Sequence, residues 1–236
     1  MTVTAADAGP ASGSTPLTPP AAALGVLAGM VAAALTVALG VLIGTGAAGP
    51  PSGPLLFDPG AGVRYGLPVA RVLHDLAAAL TVGALGLATW LVGPDAGASP
   101  RALTGVRQVA MRVGTITVGI WLLASALTLV LTVADASGLS PSTPGFADLV
   151  ASFATQVDLG RALLASLLLV AVAANLAVLA TSVVASGWAA ACAVVALLPL
   201  ALTGHAAGSR DHMNSVDSLA VHLVGVVIWV GGLGAL

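Results

Sequence analysis

Residues 159–184 read LGRALLASLLLVAVAANLAVLATSVV, an apolar run broken by one arginine and one asparagine. A helix needs about 20 apolar residues to cross a bilayer core, and this stretch supplies them. It shows no alternation of period two, and its alanines and leucines favour helix over strand. The rest of the chain is of the same kind. Of 236 residues, 58% are hydrophobic and only 7% are charged. A soluble domain carries about 25% charged residues, so these charges cannot cover a water-exposed globule. A soluble enzyme, a disordered protein and a nucleic-acid binder are excluded. The net charge of -2 provides no basic field for a polyanion. A single cysteine, Cys192, rules out a disulfide framework and any multi-cysteine metal site within one chain.

Six stretches have the length and composition of membrane helices: 21–46, 67–92, 103–133, 159–184, 188–203 and 218–236. The fifth is short, with Pro199 near its end. The expected fold is therefore an all-α, polytopic membrane bundle of about six transmembrane helices. It spans residues 21–236 behind a disordered tail at 1–20, which is rich in Ala, Gly, Ser, Thr and Pro. That tail has no basic residue, so the first apolar run reads as a retained anchor rather than a signal peptide. Residues 47–65 read as a Gly/Pro-rich loop. Arg101, Arg107 and Arg112 cluster between the second and third stretches. The positive-inside rule makes that side cytoplasmic and puts the amino terminus inside, in a multi-pass protein of the cytoplasmic membrane. The last helix ends at Leu236 without a polar flank, so the sequence reads as the amino-terminal part of a longer protein.

In this topology the four histidines, His74, His205, His212 and His222, all belong to the outer side. Imidazole is the commonest metal ligand. His205 and His212 stand in the expected loop between the last two helices, with Met213 beside them. Thioether next to imidazole favours copper, although a solvated polar loop is the plain alternative. His74 and His222 stand inside membrane segments, where an ionisable side chain is costly and points to function. An interfacial histidine bonded to a headgroup or carbonyl is the alternative there. Both are followed by the same pattern: His, seven residues, then Val-Gly-x-Leu-Gly, through Val82-Gly83 and Val230-Gly231. Small residues permit close helix packing, so the two imidazoles are expected at equal depth, facing one ion. Polarity inside the span makes His222 matter more than His212.

The remaining polar residues read as structural. Arg71 and Asp75 have the i, i+4 spacing of an ion pair, with Asp75 as an alternative partner of His74. Asn175 is expected to bond across helices, Ser125, Thr128 and Thr132 to pack, and Cys192 to sit in the core. The four tryptophans, Trp90, Trp121, Trp188 and Trp229, are too scattered in sequence to suggest a site. No P-loop, Cys-Pro-Cys pump sequence or Ser-His-Asp context is present, so no enzymatic activity is expected.

Residues 203–236 resemble the copper resistance protein D family of bacterial membrane proteins. The resemblance is carried by Gly204-His205-Ala206 and by His222-Leu223 followed by Trp229-Val230-Gly231-Gly232-Leu233. Leu73-His74 and Gly83 look like a weaker copy. The resemblance is looser over residues 60–200. It implies copper movement across the cytoplasmic membrane, with His205 and His222 in the family pattern. It also implies a carboxy-terminal cytochrome oxidase assembly domain, as in similar actinobacterial fusions. The residues alone allow zinc or haem iron as well. Three functions follow as expectations. One is copper transport or handling through His74, His205, His212, Met213 and His222, supplied by a periplasmic copper-binding protein. A second is a b-type haem protein with His74 and His222 as axial ligands. The third is an assembly partner of a respiratory oxidase.

Overall fold

The computed structural model describes residues 21–50, 57–93, 97, 99–100, 102–201 and 212–235. These residues form helices and connections, with no strand among them. The helices are α1 (Ala21–Thr45), α2 (Ala61–Gly86), α3 (Gly105–Ser137), α4 (Phe146–Gln156), α5 (Asp158–Leu179), α6 (Val183–Val195), α7 (Leu198–Ala201) and α8 (His212–Ala235). A π-helical turn, Leu87–Leu91, prolongs α2. Four spans are long and apolar enough to cross a membrane: Ala61–Leu91, Gly105–Ser137, Asp158–Leu179 and Val183–Ala201. Helices α1 and α8 add the shorter apolar stretches Val31–Thr45 and Val221–Leu233. The expected tail at 1–20 lies outside the described residues.

Several boundaries differ from the sequence reading. Helix α2 begins at Ala61, six residues before the expected start at 67, so residues 61–65 are helix and not loop. Helix α8 begins at His212, six residues before 218. In both cases the polar residues of the first turns continue the helix, whose ends need not be apolar where the bilayer gives way to headgroups. The expected fifth helix is broken into α6 and α7 just before Pro199, which lies within α7. Helix α4 was not expected at all.

Helices α2 and α3 form the centre. Leu131 touches the Gly66 position, the His74 ring meets Trp121, Thr81 bonds Thr117, and Leu85 packs on Gly114. Residue numbers rise on one helix as they fall on the other, so the pair is antiparallel. Gly138 ends α3 with φ 68°, the left-handed conformation glycine adopts freely. Helix α5 returns beside α6, where Ser166 Oγ donates to Ala196 O at 2.7 Å and Cys192 Sγ to Leu169 O at 3.5 Å. Asn175 does not bond across helices: its Nδ2 donates to Ala171 O on its own helix at 2.8 Å. An α-helix always offers the carbonyl four residues back, and the exposed Asn175 takes it. The start of α2 is pinned by Arg64, whose Nε donates to Ala48 O at 2.8 Å and whose guanidinium pairs with Asp58. That guanidinium, with the Gly60 N–H, holds the Asp58 carboxyl below its ordinary value.

Helix α8 meets α2 through two glycines. A Cβ on Gly83 would lie 2.0 Å from Gly231 O, and one on Gly231 would lie 1.9 Å from Ala79 O. The backbones touch, as small residues in membrane helices allow. These glycines occupy the same position in the His-x7-Val-Gly pattern of the two helices.

Candidate functional site

His74 is the fourteenth residue of the 31-residue span Ala61–Leu91, so it lies near mid-span and not two turns from its end. It is 7% exposed. Its Nδ1 is 3.0 Å from Asp75 Oδ1. A carboxylate accepts only, so Nδ1 carries a proton and Nε2 is the ring nitrogen left for another partner. This is how a carboxylate orients a metal-binding imidazole. The hydrogen-bond partner of Asp75 is thus His74, and not Arg71 at the helical spacing. Side chains of adjacent residues diverge by about 100°, but Nδ1 stays close to its own backbone, within reach of the next carboxylate. The imidazole and the Trp121 ring meet in a T-shaped contact, with centroids 5.9 Å apart and planes at 78°.

The face of α3 that meets His74 is polar. Thr117, Trp121, Ser125, Thr128 and Thr132 are all buried. At about 100° per residue they fall within an arc of roughly 80°. Thr81 Oγ1 donates to Thr117 Oγ1 at 2.9 Å, and Ser125 Oγ donates to Trp121 O at 2.8 Å. Among the described residues, Trp121 Nε1, Thr128 Oγ1 and Thr132 Oγ1 have no hydrogen-bond partner. Buried polar groups are normally bonded, so these three mark a polar seam between α2 and α3. Thr128 and Thr132 continue this polar face from Trp121 toward the α4 end of α3.

His222 has different surroundings. It is the eleventh residue of α8 and is exposed. The repeated spacing explains this. Each histidine stands nine positions before its contact glycine, and nine steps of about 100° amount to two and a half turns. Each histidine therefore faces away from the α2–α8 contact. On α2 the opposite face is covered by α3, which buries His74. On α8 that face carries exposed Val226, Trp229 and Leu233, and His222 stands with them. His212 and Met213, expected in a loop, are the first two residues of α8. His205 lies outside the described residues. Among the described residues, no three His, Cys, Asp or Glu side chains come together as a metal-binding group.

A family model described as copper resistance protein D-like, N-terminal domain, matches residues 62–213. The chain belongs to this family. No curated protein and no solved structure matches the chain. The copper resistance D-like match covers His74, the polar face of α3, His205, His212 and Met213, and ends before His222 and Trp229. The match thus lies mostly over residues where the sequence resemblance was looser, and reaches little of the stretch 203–236. Sequence reasoning missed the pairing of Trp121 with His74. Ser125, Thr128 and Thr132 read as a polar stripe; the missed signal was that Thr117 and Trp121 extend it on the same helical face.

Proposed function

We propose that this chain moves copper across the cytoplasmic membrane, with His74 as the ligand inside the bundle. The observation that supports the reading is a buried mid-span imidazole packed on the polar face of α3, in a copper resistance D-like chain. His205, His212 and Met213 collect the ion where α8 begins. Soft sulfur beside imidazole suits Cu(I). His222 serves as a further ligand on α8. The arginines around the α2–α3 connection make that side cytoplasmic and the collecting side outer, with a periplasmic copper-binding protein as the source. The chain carries out no covalent chemistry. A respiratory oxidase is a further candidate partner, by resemblance alone.

Copper-dependent growth and uptake test the reading. His74→Ala, inserted in the membrane at wild-type level, is expected to lose the copper response. An unchanged response would overturn the role of His74. A cysteine introduced by Ser209→Cys in a Cys192→Ser background is expected to react with an impermeant reagent from outside. Labelling only after the cytoplasm is opened would reverse the orientation and remove the collecting site.

A further inference from the structure

A second polar feature lies at the opposite end of the bundle from Thr132. Helix α3 begins there at Gly105, and α5 ends there at Leu179. Between them is a cleft of about 520 Å³ lined by polar Gln108, Arg112, Thr115 and Thr181 and by apolar residues that include Ile116 and Val178. We propose that this cleft binds the phosphate of an anionic phospholipid on Arg112, with an acyl chain along Ile116 and Val178.

The two arginines on this part of α3 differ. Arg107 is buried and consumed by structure: its Nε donates to Val92 O at 2.9 Å and its Nη1 to Pro100 O at 2.8 Å. It ties the two ends of the α2–α3 connection to the helix. Arg112 lies five residues further along α3, about 7.5 Å deeper. It is exposed and, among the described residues, has no hydrogen-bond or ion-pair partner. The described carboxylates give it none: Asp58 precedes α2, Asp75 bonds His74, and Asp135, Asp148 and Asp158 sit at the far end of α3, on α4 and at the start of α5. A charge within a membrane helix calls for a partner. A guanidinium matches phosphate with paired N–H donors, and Gln108 and Thr181 offer further donors. The positive start of α6, next to Thr181, offsets the carbonyl end of α5. Ile116 is 65% and Val178 69% exposed, so the cleft continues onto the outer, apolar surface of the bundle. A free phosphate gains nothing from that surface, whereas a lipid fills both parts.

The inference rests on the membrane fold and is independent of copper. The purified full chain in a non-ionic detergent is offered phosphatidylglycerol, phosphatidylcholine or inorganic phosphate. Bound lipid is counted by native mass spectrometry, and thermal unfolding is followed. Phosphatidylglycerol is expected to be retained and to raise the unfolding temperature more than phosphatidylcholine. Arg112→Gln is expected to weaken that retention about tenfold, in line with loss of a charged hydrogen bond. Arg112→Lys is expected to keep part of it. Arg161→Gln, at the opposite end, is expected to behave as wild type and to control for loss of charge. Equal retention by Arg112→Gln and wild type would overturn the proposal. Equal stabilisation by inorganic phosphate would also overturn it, by assigning the cleft to a free anion.

Discussion

Helix α2 has two long contacts, and they are built from opposite materials. Toward α8 it presents Ala79 and Gly83, and the backbones touch there through Gly231 with no side chain between them. Toward α3 it presents His74 and Thr81, which meet Trp121 and Thr117 through side-chain contacts. The first contact can only hold helices together. The second can exchange partners, because it contains an imidazole and three polar atoms that have no partner among the described residues. The spacing repeated in α2 and α8 separates these roles, placing the glycine and the histidine on opposite faces of one helix. In α2 both faces are covered. In α8 only the glycine face is, and His222 remains exposed.

The largest effect is expected from breaking the glycine contact. Gly83→Val or Gly231→Val puts branched carbons where even a Cβ would overlap backbone atoms at about 2 Å. Ordinary overpacking costs about 1–3 kcal/mol through side-chain rearrangement. Here backbone must move, so a loss at or above the top of that range is expected, read as a drop in unfolding temperature or in folded yield. Gly232→Val is the control, because its Cβ position has nothing within 4 Å. Equal damage from Gly232→Val would mean that the α2–α8 contact is not the cause.

The histidines sharpen the comparison next. His74→Ala removes a buried ring packed on Trp121 and is expected to cost about 2–3 kcal/mol of stability as well as the copper response. His222→Ala removes an exposed ring and is expected to leave stability within about 0.5 kcal/mol. Its copper response is expected to fall more than that of His212→Ala. A stability loss in His222→Ala as large as in His74→Ala would show that the two faces of α8 do not differ as described.

Much of this was legible in the sequence, and the failures have physical causes. Apolar length revealed the spans, because a bilayer demands it. The starts of α2 and α8 were read too late, because polar residues such as His212 and Asn214 resemble a loop even where the helix continues. Helix α4 was legible but missed. Phe146, Leu149, Val150 and Phe153 follow helical spacing and pack on the cluster around Leu67 and Leu131. The glycine pairing was anticipated from the repeat, but the histidine faces were not. Equal depth was weighed and rotation about the helix axis was not. Trp121 was passed over because its meaning depends on the antiparallel register of α2 and α3, which no local pattern states.

The smallest effects test what fills the seam. Trp121→Phe deletes the unpaired Nε1 while keeping an aromatic edge for His74, and Thr128→Val deletes an unpaired hydroxyl at nearly equal volume. If these atoms had no partner, removing them would relieve a buried polar group, and each variant would gain up to about 1 kcal/mol. If they bond water or ions that serve His74, each variant is neutral or slightly destabilised and the copper response falls. The second outcome is expected, because three of the four unpaired buried atoms among the described residues, Trp121 Nε1, Thr128 Oγ1 and Thr132 Oγ1, lie on one face of α3. Thr128→Ser keeps the hydroxyl and is expected to retain the response that Thr128→Val loses. A stabilised Thr128→Val with full copper response would make the seam plain packing, and the α2–α3 and α2–α8 contacts would then differ in chemistry but not in role.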